Sequence, residues 1–144
     1  MKRLGRNGPH VSALGLGCGS FIRTGEGAEQ GTVRTIQAAL DAGFTFLDTA
    51  DFYGSGVSEM LVGRAIRDRR DQAFLSVKFG AEMAPSGRII GLDGRPNAVK
   101  NFAAYSLKRL GVEVIDLYSP RGWGGGYPRK GLDFARSRTQ AARK

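Results

Sequence analysis

The stretch Phe44–Glu59, FTFLDTADFYGSGVSE, decides how this chain is read. It opens on Phe44, Thr45, Phe46 and Leu47, apolar or β-branched side chains in the run expected of a short buried parallel strand. The strand is expected to end on Asp48, where burial begins to fail. A polar turn then carries Asp51, Tyr53, Gly54 and Gly56, and Ser58 or a near neighbour is expected to cap the helix that follows. An acid at a strand's carboxyl end with a tyrosine five residues on is an arrangement α/β enzymes use for chemistry. A bland reading exists beside it: the Asp caps a loop and the Tyr fills a gap. The stretch alone does not choose.

Outward from this centre, strands and helices alternate. Lys2–Val11 reads as a hairpin with Asn7-Gly8 as its turn, and Ala13–Gly17 as a short strand ending in the small-residue loop Gly17, Cys18, Gly19, Ser20. Gly25–Gly31 is expected to be a flexible link. Thr32–Ala42 then shows Val33, Ile36, Ala39 and Leu40 at helical spacing, with Gly43 as its stop. Beyond the central stretch, Val57–Arg69 is a second amphipathic helix, and Ala73–Val77 a strand ending before Lys78, Phe79 and Gly80. Ala81–Arg95 reads as a loop. Pro96–Leu110 is a helix with proline near its start and Gly111 at its end, and Val114–Tyr118 is a fourth strand. Strands alternating with helices of ten or more residues call for a parallel sheet with crossover helices.

The chain of 144 residues carries a net charge of +9, unevenly spread. Residues 1–118 hold fifteen Lys or Arg against twelve Asp or Glu, whereas residues 119–144 hold seven against one, Asp133. The body is therefore near balance and the tail is basic. Two units are expected: 1–118, and an Arg/Gly-rich tail 119–144 that is disordered or encoded out of frame. Trp123, Tyr127 and Phe134 among the tail's basic residues allow a nucleic-acid or other polyanion reading, set against a solvated tail with no such partner. Nothing approaches eighteen consecutive apolar residues, so no membrane span is expected. MKRLGRNGPH lacks a signal peptide's apolar core, and a lone Cys18 suits a reducing compartment; the expected location is cytoplasmic. With one histidine, His10, no metal site is expected.

In a parallel α/β array all strand carboxyl ends share a face, so Asp48, Tyr53 and Lys78 can converge. An ammonium beside a phenol favours the phenolate, and a carboxylate beside the lysine keeps it charged and oriented. The plain alternative for Lys78 is a solvated lysine at a strand end.

The runs LGLGCGSF, DAGFTFLDTADFYGSGVSE, SVKFG and LKRLGVEVIDLY together resemble the aldo/keto reductases, in the expected order over residues 2–118. The resemblance implies the N-terminal part of a (β/α)8 TIM barrel with a leading β-hairpin, about four parallel strands and three helices. It implies an NADPH-dependent oxidoreductase that reduces aldehydes and ketones to alcohols, with a small carbonyl substrate. Carried over by position, Tyr53 would be the proton donor, Lys78 would depress its pKa and Asp48 would hold Lys78. Gly17, Cys18, Gly19 and Asp48 would lie near the cofactor, with Cys18 a small packed residue rather than a nucleophile.

Two departures accompany the match. Many members place a carbonyl-polarising histidine shortly after the fourth strand, where this chain has Ser119, Pro120 and Arg121; His10 lies in the hairpin and reads as an exposed turn residue. A complete barrel takes roughly 250 residues, so most of the family's NADPH site would be missing. The chain on its own is therefore expected to be weak or inactive, with self-association possible through open sheet edges.

Overall fold

The structure is a computed structural model and describes residues 1–121. Strands β1 (Lys2–Arg3) and β2 (His10–Val11) form the antiparallel hairpin, with Lys2 opposite Val11 and Arg3 opposite His10. The turn is wider than Asn7-Gly8 alone: Leu4 N–H donates to Pro9 O at 2.9 Å, so six residues separate the strands.

Four parallel strands make the sheet: β3 (Gly15–Gly17), β4 (Phe46–Ala50), β5 (Phe74–Phe79) and β8 (Leu117–Pro120), in spatial order β3-β4-β5-β8. Helices α1 (Glu26–Asp41), α2 (Val57–Ile66) and α3 (Pro96–Leu110) are the crossovers between successive strands. A small antiparallel pair, β6 (Ala81–Met83) and β7 (Ile89–Leu92), lies between β5 and α3.

The core lies between sheet and helices. Leu47, Leu75 and Val77 point from the strands onto Ile36 and Leu40 of α1, Val62, Ala65 and Ile66 of α2, and Leu110 of α3. Alternation along β4 and β5 sends the complementary set to the other face. There Phe46 and Phe74 stack at 5.4 Å between centroids and remain half-buried. Among the described residues no strand pairs with the outer edge of β3 or of β8.

Helix α3 runs over the range its sequence predicts. Pro96 occupies its first turn, and Gly111, in the left-handed region at φ 65°, closes it. The Gly111 N–H donates to Lys108 O and the Val112 N–H to Leu107 O, the two bonds of a Schellman turn. Other boundaries move. Helix α1 begins at Glu26, inside the expected flexible link, and α2 stops at Ile66 instead of Arg69. The expected loop 81–95 contains the β6–β7 pair. The fourth strand starts three residues late, because Asp116 is engaged before it begins: its Oδ2 accepts from Arg70 Nη2 at 2.7 Å and from Leu75 N at 2.8 Å. It also runs later, so Ser119 and Pro120 belong to β8 and not to a separate tail. The rest of that Arg/Gly-rich segment, with the polyanion reading attached to it, lies outside the described residues.

Candidate functional site

Strand β4 puts Asp48 in its interior, on the face away from the helices, rather than at its end. Strand β5 likewise continues past Val77, so Lys78 is its fifth residue of six. Both strands are hydrogen-bonded on two sides, and a polar side chain on the uncovered face need not end the ladder. The parallel register sets Asp48 beside Ser76 and Ala50 beside Lys78. The Ser76 hydroxyl donates to Asp48 Oδ1 at 3.1 Å, and Lys78 Nζ forms an ion pair with Asp48 Oδ2. Ser76 was missed in the sequence, although period two along SVKFG places it on the face of Lys78.

Tyr53 stands on the single turn of 3-10 helix Tyr53–Gly56, whose residues Gly54, Ser55 and Gly56 all have positive φ. That turn bends the chain sharply enough to bring the Tyr53 ring over the ion pair, with Lys78 Nζ 5.0 Å from its centroid. Asp48, Lys78 and Tyr53 therefore meet on one face of the sheet.

The turn is tied down from below. Ser58 does not cap α2; the cap position is Gly56, with no side-chain bond. Instead the fully buried Ser58 hydroxyl lies 2.8 Å from the Thr49 hydroxyl and donates to Cys18 O at 2.9 Å. One side chain thus links β4, α2 and the loop after β3.

That loop brings Gly17, Cys18 and Gly19 beside the site. A Cβ on Gly19 would sit 3.2 Å from Tyr53 Cζ, so glycine lets backbone lie against the tyrosine ring. Gly17 is exposed and in register with Asp48. The Cys18 side chain is buried: its thiol donates to Leu16 O, its N–H to Asp48 O and its carbonyl accepts from Ser58 and Phe21. Burial first, and the Asp48 charge second, push its thiol up to about 12. At neutral pH it is an inert packed group.

Two features at the rim had no sequence signal. Phe52 packs edge-on to Tyr53, with centroids 5.0 Å apart. Arg121 places its guanidinium 5.4 Å from the Phe52 centroid, held there by its own N–H donating to Phe79 O. His10 is exposed on β2 and takes no part. Ser119, in register with Lys78, stands near the place where the resemblance implies a histidine.

The sequence profile described as "Aldo/keto reductase family" matches residues 13–124. The chain belongs to that family. It is 38% identical over 111 residues to aldo-keto reductase yakc (NADP(+)) of Schizosaccharomyces pombe, covering 75% of this chain and 33% of that protein. It superposes with a TM-score of 0.84 and 30% identity on the holo form of aldo-keto reductase AKR11C1 from Bacillus halodurans, covering 96% of this chain and 46% of that one. An aldo-keto reductase from Klebsiella pneumoniae in complex with NADPH matches at a TM-score of 0.70 and 28% identity, over 92% of this chain and 42% of that one. The chain spans about one third of the length of the curated relatives it matches, and its sheet is the N-terminal part of their (β/α)8 barrel. Among the described residues no helix is long and apolar enough to cross a membrane.

Proposed function

We propose that this chain carries the proton-donor half of an NADP(H)-dependent carbonyl reductase site. The observation that carries the reading is the Lys78 ammonium, paired with Asp48 and lying 5.0 Å from the Tyr53 ring centroid. Tyr53 gives the proton that the reduced carbonyl oxygen needs. Lys78 stabilises the phenolate left behind, and Asp48, steadied by Ser76, holds Lys78 in place. The substrate is a small aldehyde or ketone whose oxygen reaches the Tyr53 hydroxyl.

The bound nicotinamide supplies the hydride. The residues present suit its ring end: Gly17 and Gly19 leave a floor without side chains beside Asp48 and Tyr53, and the neighbouring structures include one with NADPH. Cys18, with its polar atoms engaged inside the protein, shapes that loop. No comparable built site for the cofactor's phosphates stands beside these residues among those described, and no described strand pairs with the outer edge of β3 or of β8; residues 1–121 supply the ring end of the site.

The test is NADPH fluorescence titration of the purified chain with molar mass recorded by light scattering. We expect no saturable binding by monomer at millimolar cofactor, and binding only with a dimer that closes the sheet. Saturable micromolar binding by monomer would refute the half-site reading.

A further inference from the structure

Asp51 carries a buried carboxylate to which the proton-donor chemistry assigns no part. Its N–H donates to Lys78 O at 3.0 Å, and its Oδ2 accepts from Gly80 N at 3.3 Å. Asp51, two residues before Tyr53, thus binds the end of β5 on both sides of Phe79, at Lys78 and at Gly80. Its other oxygen, Oδ1, is buried and makes no hydrogen bond among the described residues; the same holds for Glu59 Oε1, Ser106 Oγ and Tyr118 Oη. Four elements contribute to this polar nest: the turn after β4, α2, α3 and β8.

The charges facing Asp51 are Glu59 from α2, which disfavours its ionised form, and Arg109 from α3, which favours it. The Tyr118 phenol of β8 is kept protonated, first by burial and then by the Asp51 charge, and lies close to the Ser106 hydroxyl without hydrogen-bond geometry. The backbone N–H groups of Gly80 and Phe52 also favour the Asp51 carboxylate, but burial outweighs them and pushes the acid up to about 7.

We propose that Asp51 is a positioning residue whose gain or loss of a proton resets the Tyr53 turn against the end of β5. Ionised, Asp51 is acceptor-only and grips the Gly80 N–H through a charge-assisted bond. Protonated, it offers one O–H donor to a nest that holds the unmatched acceptor Glu59 Oε1. The two hydrogen-bonding patterns hold the strand end differently, and Tyr53 and Lys78 move with it. This rests on the reading of Tyr53 as proton donor, but its test does not use turnover.

The experiment follows the Tyr53 ring ¹³Cζ and the Gly80 amide by NMR between pH 5 and 9 in the full chain. His10→Gln removes the one imidazole, and Tyr53→Phe assigns the ring signal. Both resonances are expected to shift with a common midpoint near pH 7, and Asp51→Asn to abolish both inflections. Glu59→Gln removes the neighbouring negative charge and lowers the midpoint, which keeps the test decisive if Asp51→Asn fails to fold. Inflection of Gly80 without Tyr53 would overturn the proposal. So would the absence of any inflection, its survival in Asp51→Asn, or a midpoint unmoved in Glu59→Gln.

Discussion

Replacing Arg109 with methionine tests what holds the Tyr53 turn in place. Glu59, fully buried at the start of α2, has one hydrogen-bonding partner among the described residues: Arg109 Nε donates to its Oε2 at 2.5 Å, while Oε1 has none. The Arg109 stem crosses directly above Gly56, where a Cβ would come within 2.5 Å of Arg109 Cδ. Removing the guanidinium leaves a carboxylate without water or counter-charge, a change that costs about 3–5 kcal/mol. Methionine refills the aliphatic volume, so the loss is electrostatic and not a cavity. The double variant Arg109→Met/Glu59→Gln removes both charges and should lie within about 2 kcal/mol of the parent, because a neutral pair carries no such desolvation cost. Urea denaturation of the parent, the single variant and the double variant reads the difference. A single-variant loss below about 1 kcal/mol, or equal losses in single and double, would refute the buried-pair argument.

Further outcomes follow from other positions. Asp51 is raised from 3.8 to about 7 when folded, so its contribution to stability is full below pH 4 and lost as pH rises through 7. Asp51→Asn removes that slope, and its stability relative to the parent should rise by on the order of 4 kcal/mol between pH 4 and pH 8, checked by denaturation at each pH. Ser55 is the one non-glycine residue with positive φ among those described, at 51°. Ser55→Gly should stabilise by about 1 kcal/mol, read as a higher urea midpoint. A Cβ on Gly63 would lie 2.3 Å from Leu110 O. Gly63→Ala should therefore force α2 from α3 and cost about 1–3 kcal/mol, despite alanine's better helix propensity, with thermal unfolding as the measurement.

How far the sequence was legible depends on how local each determinant is. Helix α3 was readable to the residue because Pro96 and Gly111 act on their own backbone. The start of α1 was hidden by Gly25, Gly27 and Gly31, which look like breakers; in the fold Gly25 precedes the helix at φ 107°, and Gly27 and Gly31, where a Cβ would meet nothing within 4 Å, weaken the helix without shaping a packed contact. The β6–β7 pair gave no alternation to read, since Pro85 and Gly87 sit in its short turn and the apolar Ile89, Ile90 and Leu92 do not alternate with polar residues. Val114 and Ile115 imitate a strand, yet Ile115 reaches the core from the segment before β8. At the site, Asp48, Tyr53 and Lys78 stood out because carboxylate, phenol and ammonium sit near strand ends. The Glu59–Arg109 pair did not, because burial and pairing across fifty residues leave no local trace, and Ser58 read as a helix cap because its bond to Cys18 O spans forty.

The most direct test of the proton-donor assignment joins residues 1–121 to the C-terminal part of the Schizosaccharomyces pombe relative, completing the barrel. NADPH-dependent reduction of an aromatic aldehyde is then compared with and without Tyr53→Phe. The account predicts turnover that falls by about 100-fold or more in the variant, with KM for NADPH unchanged. Turnover within a few-fold of the parent chimera would contradict it.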